Sequence, residues 1–182
     1  VFAPRTLDYT LVAIERDEKR VAMSRDAATR LGVGARFEAR ATSVGSGAFP
    51  EAPTLVVALH ACGEASDAVI DATLERRAAH LLLVPCCTAR GLRGEAPSAH
   101  IEANYGVPRH GGIRRRLREV LVLAERVARL EAAGYATEVV DFVAPTVTPY
   151  NVLLRARRVD EPVRRARAAE EHARLRDPSG RA

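Results

Sequence analysis

Glu15 closes the run Tyr9-Thr10-Leu11-Val12-Ala13-Ile14 and opens the charged stretch Arg16-Asp17-Glu18-Lys19-Arg20. A continuous apolar, β-branched run of this length suits a strand buried on both faces of a parallel sheet. A carboxylate at the end of such a strand offers two acceptor oxygens to the cis-diol of a ribose. The same carboxylate also makes sense as a solvated acid at a strand-to-helix turn, favoured by the dipole of the helix that follows. Two more unusual groups follow apolar runs: His60-Ala61-Cys62-Gly63 comes after Leu55-Val56-Val57-Ala58-Leu59, and Pro85-Cys86-Cys87 comes after Leu81-Leu82-Leu83-Val84. His60 and Cys62 can touch a ligand, or Ala61 and Gly63 can simply permit close backbone approach while His60 bonds locally.

Cys86 and Cys87, with Cys62 or His60, invite a reading as metal ligands. Structural zinc sites usually separate paired cysteines by two to four residues, and adjacent cysteines cannot easily both point inward. Buried, unreactive thiols are therefore the preferred reading, with no metal. Arg109, Arg114, Arg115 and Arg116, together with His110, Gly111 and Gly112, can grip phosphates where a long loop enters a helix. The alternative, which we favour, is a solvated face in an arginine-heavy chain.

These groups need elements to hold them. Residues 17–31 carry apolar positions at helical spacing, with Asp17 as N-cap and Gly32 as a stop. A short strand at 35–41 precedes a Gly/Ser/Pro loop, and Ser66 and Asp67 cap a helix that contains Val69, Ile70 and Leu74. Residues 88–112 show no clear period and read as a long surface loop. Residues 114–133 form an amphipathic helix with Leu117, Val120, Leu121, Leu123, Ala124, Val127 and Leu130 on its apolar stripe, ended by Gly134. Strands at 135–143 and 151–156 are joined too closely for a helical crossover and must be antiparallel. Alternation of strands and helices otherwise predicts an open parallel sheet whose ligands sit at the carboxyl ends of the strands. The three strand-end groups then share one crevice. The domain covers residues 1–158, and 159–182 read as a charged tail, helical and then disordered.

At 182 residues, 47% hydrophobic and 28% charged, the chain has the balance of an ordinary globular domain and not of a disordered or fibrous one. No apolar run approaches the roughly 20 residues of a membrane span, and the start lacks a signal peptide's apolar stretch, so a cytoplasmic protein without a membrane partner is expected. Three cysteines do not make a disulfide framework, and all three read as free thiols. The net charge of +5 comes almost wholly from arginine, since Lys19 is the only lysine. RNA is a compatible partner on this charge, which alone does not identify it.

Taken in order, Val12-Ala13-Ile14-Glu15-Arg16-Asp17-Glu18-Lys19-Arg20, Leu59-His60-Ala61-Cys62-Gly63-Glu64-Ala65-Ser66-Asp67 and Val84-Pro85-Cys86-Cys87 resemble successive motifs of a class I S-adenosylmethionine-dependent methyltransferase family. That family includes the glutathione S-transferase C-terminal-domain-containing protein, the methyltransferase-like 25 group and, more distantly, a tRNA 2'-O-methyltransferase. Gly134-Tyr135, Phe142-Val143 and Thr148-Pro149-Tyr150-Asn151-Val152-Leu153-Leu154 are similar to its last hairpin, so the resemblance spans about residues 10 to 157.

The resemblance implies a Rossmann-like α/β sheet, mostly parallel with an antiparallel C-terminal hairpin, and S-adenosylmethionine as methyl donor. The family's first strand and glycine-rich loop have no counterpart among the residues before Glu15. By the same resemblance Glu15 holds the donor's ribose, and Arg16, His60, Ala61, Cys62 and Gly63, at the same strand ends, are the further donor-binding candidates. His60 and Cys62 are the catalytic candidates, and Pro85, Cys86, Cys87, Arg109 and Asn151 face the acceptor. The expected activity is methyl transfer to RNA or protein. A methyltransferase-like fold used as a non-catalytic binding module is the alternative, and a zinc-binding RNA protein a weaker third.

Overall fold

The computed structural model describes residues 8–59, 61–85, 95–144, 146–148 and 151–177. Strand β1, Leu11–Glu15, ends where Asp17 caps helix α1, Glu18–Arg30. The Asp17 Oδ1 accepts from the amides of Lys19 at 2.9 Å and Arg20 at 3.2 Å, satisfying donors that have no partner within the helix. The chain leaves α1 through Gly32, whose φ of 71° suits glycine. It then enters strand β2, Phe37–Ala41, which pairs in parallel with β1. Cap, helix and stop all stand where the residue pattern places them.

Strand β3, Leu55–Leu59, leads through Gly63 to helix α2, Glu64–Glu75, and then to strand β4, His80–Val84. Ser66 and Asp67, expected as caps, lie inside α2 and are buried, because the helix starts one turn earlier at a glycine. Helix α3, Glu95–Asn104, occupies part of what reads as a structureless loop. Its Pro97 sits in the first turn, where a missing N–H costs nothing, and its buried Ser98 donates from Oγ to Glu102 at 3.1 Å. A helix with so weak an apolar stripe leaves little periodicity to detect. Helix α4, Gly111–Ala132, is followed by strands β5, Tyr135–Asp141, and β6, Val152–Arg158, and then by helix α5, Pro162–Arg176.

Among the described residues the strands form two sheets, β1-β2 and β3-β4-β6-β5. β3 pairs in parallel with β4, whereas β6 runs antiparallel to both β4 and β5. The closing hairpin is antiparallel as expected; among the described residues the strands fall into two sheets rather than one, with parallel and antiparallel pairings in equal number, so they do not themselves display a mostly parallel sheet. Val56, Leu81, Leu83, Leu154 and Ala156 of the larger sheet bury one face together with Val69, Ile70 and Ala72 of α2 and Leu130 of α4. Each fully buried Leu or Ile contributes roughly 1.5–3 kcal/mol. Ile14 and Val44 pack on the same cluster and tie the smaller sheet to it.

β3 departs from the two-faced burial that its all-aliphatic sequence suggests. Val56 is buried, yet Leu55, Val57 and Leu59 are 49%, 54% and 58% exposed. The strand is at an edge of its sheet, and only the helix-bearing side is covered by described residues. Within the segment expected as a solvated helical tail, helix α5, Pro162–Arg176, has one narrow side docked. Ala168 is fully buried, His172 lies 3.1 Å from Glu125, and Arg164 lies 3.4 Å from Glu131, so α5 packs on α4.

Candidate active site

Glu15 ends β1 with a partly exposed carboxylate. Its Oε1 accepts the Asp17 amide at 3.0 Å, while Oε2 lies 3.7 Å from Arg20 Nη1, too far for a hydrogen bond. One oxygen therefore braces the strand-to-helix turn and the other retains acceptor capacity. Arg16 beside it is exposed.

At the end of β3, His60 lies outside the described residues, and Ala61 packs against the central core. Gly63 has φ 59° and ψ −127°, a region that is costly for any residue with a Cβ, which is why glycine is needed at this entry to α2. Several bonds fix the turn. Ser66 Oγ donates to the Ala61 carbonyl, the Ala65 amide to the Cys62 carbonyl at 3.2 Å and the Ser66 amide to the Gly63 carbonyl at 3.2 Å. The Gly63 carbonyl also accepts Arg126 Nη2 from α4 at 3.1 Å.

Behind that turn lies a buried ionic cluster. Asp67 Oδ1 accepts Arg126 Nε at 3.0 Å and Arg129 Nη2 at 2.8 Å, and Arg129 Nη1 donates to Asp71 at 2.9 Å. Glu125, 2% exposed, lies 3.7 Å from Arg129 Nε and 3.1 Å from His172. Burying this many charges is tolerable only because they neutralise one another. The helical stripe read from residues 114–133 omits these positions, since charge normally marks the solvent side. The signal that could have found them is complementary spacing, with Asp67 and Asp71 four apart on α2 and Arg126 and Arg129 three apart on α4.

Cys62 is disulfide-bonded, where the sequence reading expects a free thiol. Its sulfur in that state carries no proton to give or lose. The other two cysteines, Cys86 and Cys87, lie outside the described residues, and Pro85 is half-buried directly after β4. Among the described residues no three His, Cys, Asp or Glu side chains gather as a metal-ligand set. None of their helices is long and apolar enough to cross a membrane.

The strand ends that carry Glu15 and the turn 61–63 share one core, because Ile14, Ala58 and Ala61 pack against the same buried cluster. Two other candidates stand elsewhere or are engaged. Arg109 is exposed ahead of α4, and neighbouring Arg114 bonds the Pro108 carbonyl at 3.2 Å and pairs with Glu102 at 3.2 Å. From Arg114 to Arg126 the helix axis advances about 18 Å, so this basic group lies well away from the Gly63 contact. Asn151 is buried, and its Nδ2 donates to the Val143 carbonyl at 2.8 Å, closing the β5–β6 connection.

A family model described as a methyltransferase domain matches residues 2–92. No curated protein and no solved structure matches the chain. The matched half contains β1 to β4 and, with them, Glu15, the turn 61–63 and Pro85. On this match, half the length of the chain, the protein belongs to the methyltransferase-domain family.

Proposed function

We propose that the protein is a class I, S-adenosylmethionine-dependent methyltransferase of the glutathione S-transferase C-terminal-domain-containing, methyltransferase-like 25 type, built on a Rossmann-like sheet and acting on RNA or protein. The observation that carries this reading is the family match over the segment in which a strand-end carboxylate, Glu15, and a glycine turn, 61–63, border one core. The residues fit an adenosyl ligand. Glu15 keeps one oxygen for a ribose diol, and Gly63 lets backbone approach without a side chain. His60, Ala61, Cys62 and Arg16 complete the donor side, and Pro85, Cys86, Cys87 and Asn151 the acceptor side. When bound, S-adenosylmethionine supplies an electrophilic methyl group. The chain's own part is to hold donor and acceptor in line and keep water out, which is a positional contribution.

Arg109, exposed just ahead of α4, and Arg115 and Arg116, exposed in its first two turns, are proposed contacts for the phosphates of an RNA acceptor. Isothermal titration with S-adenosylhomocysteine is the direct test. Micromolar binding that Glu15→Gln weakens at least about tenfold supports the reading; a folded protein that takes up no ligand rejects it. A non-catalytic binding module is the alternative, favoured by Glu15 Oε1 serving its own turn and Cys62 being held in a disulfide. It predicts RNA or protein binding without any response to S-adenosylhomocysteine.

A further inference from the structure

We infer that Arg126 is a positioning residue for the candidate site, its guanidinium fixing the Gly63 peptide at the entry to α2. The ligand arm of this inference rests on the function proposed above; its structural arm does not. Arg126 is 1% exposed and lies far along the chain from the turn, yet one planar group bonds both the Gly63 carbonyl and the Asp67 carboxylate. A rigid fork of donors can hold two acceptors in fixed relative orientation, which a lysine ammonium on a flexible stem does not do. The acceptors belong to successive parts of one structure: the glycine that breaks from β3 and the first helical turn of α2. Locking one against the other sets the angle at which the turn leaves the strand.

The direction of the Gly63 carbonyl has a further effect. In a trans peptide the carbonyl and the next N–H point opposite ways, and no cis bond occurs among the described residues. With the Gly63 carbonyl drawn toward α4, the Glu64 amide is aimed away from it, at a helix start where amides have no partner within the helix. Arg126 and the Ser66 amide together hold that carbonyl, and Arg126 thereby reinforces the side of the turn that presents the Glu64 donor. Arg129 binds the same Asp67 oxygen and Asp71, and has no bond to Gly63. The two arginines therefore separate charge neutralisation, which they share, from backbone positioning, which belongs to Arg126.

The test compares Arg126→Lys, Arg126→Met and Arg129→Met by hydrogen exchange of the Ala65 and Ser66 amides, by melting temperature and by S-adenosylhomocysteine titration. After correction for any global loss of stability, both Arg126 variants should exchange these amides about tenfold faster than Arg129→Met, and ligand affinity should fall by a similar factor. If Arg126→Met does not fold, Arg126→Lys carries the comparison, since it keeps a cation beside Asp67. Equal exchange at the turn in Arg126→Lys and Arg129→Met overturns the inference. If the unaltered protein binds no S-adenosylhomocysteine, the cofactor reading fails while the exchange comparison still decides the role of Arg126.

Discussion

Tyr135 shows what one buried polar atom does for this fold. It is 2% exposed at the start of β5, and its hydroxyl donates to the Ala78 carbonyl at 2.7 Å, clamping β5 to the turn between α2 and β4. Burial pushes the phenol above its ordinary pKa, with Arg158 and Arg77 pulling the other way by less. A raised folded-state pKa means that the folded chain holds this proton more tightly than the unfolded chain. The stabilisation is complete below the ordinary phenol value near 10 and is lost as pH rises from there through the folded value. Tyr135→Phe should lower stability at pH 7 by about 1–3 kcal/mol, by leaving the Ala78 carbonyl without its donor. It should also flatten the alkaline decline. Urea melts of both proteins at pH 7 and above pH 10 check this, and parallel alkaline declines in the two would refute the assignment. At this scale the sequence was readable where a residue acts on its own neighbours, as with Asp17 capping α1. It was not readable for Arg126, because its partners are some sixty residues away and a charge in a helical pattern is ordinarily assigned to water.

Elements with strong apolar periodicity could be placed from the sequence to within a few residues, and those held by sparse or ionic contacts could not. β3 and β4 are short apolar runs bounded by turns, whereas α3 has almost no apolar stripe and α5 docks chiefly through Ala168, His172 and Arg164. The docking of α5 makes a specific demand at Ala168, which is fully buried against α4. Ala168→Glu places a charge there and should cost about 3 kcal/mol, the scale of an unpaired buried charge. It should expose α5 to limited proteolysis while the far-ultraviolet spectrum changes little. Retention of the unaltered protein's protease resistance would show that Ala168 does not hold the docked face of α5 in solution. The edge strand makes the opposite demand. Val57 is 54% exposed on an aliphatic edge, the kind of surface on which strands from other molecules pair. Val57→Lys should change stability by no more than about 0.5 kcal/mol and reduce concentration-dependent scattering. An unchanged second virial coefficient would mean that this edge is not what drives self-association.

For the molecule as a whole, the question is how the two sheets act as one. Hydrogen bonds between strands run within β1-β2 and within β3-β4-β6-β5, and the sheets meet through side chains, chiefly Ile14 and Val44 on the central cluster. The class of fold was legible because strands and helices alternate, but the division into two sheets was not, since a pattern along one chain does not say which strand edges pair. Among the described residues the two sheets share no ladder, and packing through side chains alone makes the α1-β1-β2 unit the weaker partner. Its amides should exchange through openings that cost at least about 2 kcal/mol less than those of β4 and β6. The proposed ligand bears directly on this difference, because Glu15 belongs to the smaller sheet and the turn 61–63 to the larger. A molecule held by both must be released when either opens. At a hundredfold excess over its dissociation constant it adds about 2.7 kcal/mol to every opening that breaks the site. Native-state hydrogen exchange with and without S-adenosylhomocysteine should therefore show protection rising in β1, β2 and α1 as well as at the start of α2, narrowing the gap between the sheets. Protection confined to α2 and β4 would place the ligand away from Glu15 and remove that carboxylate from the site, even if titration showed binding.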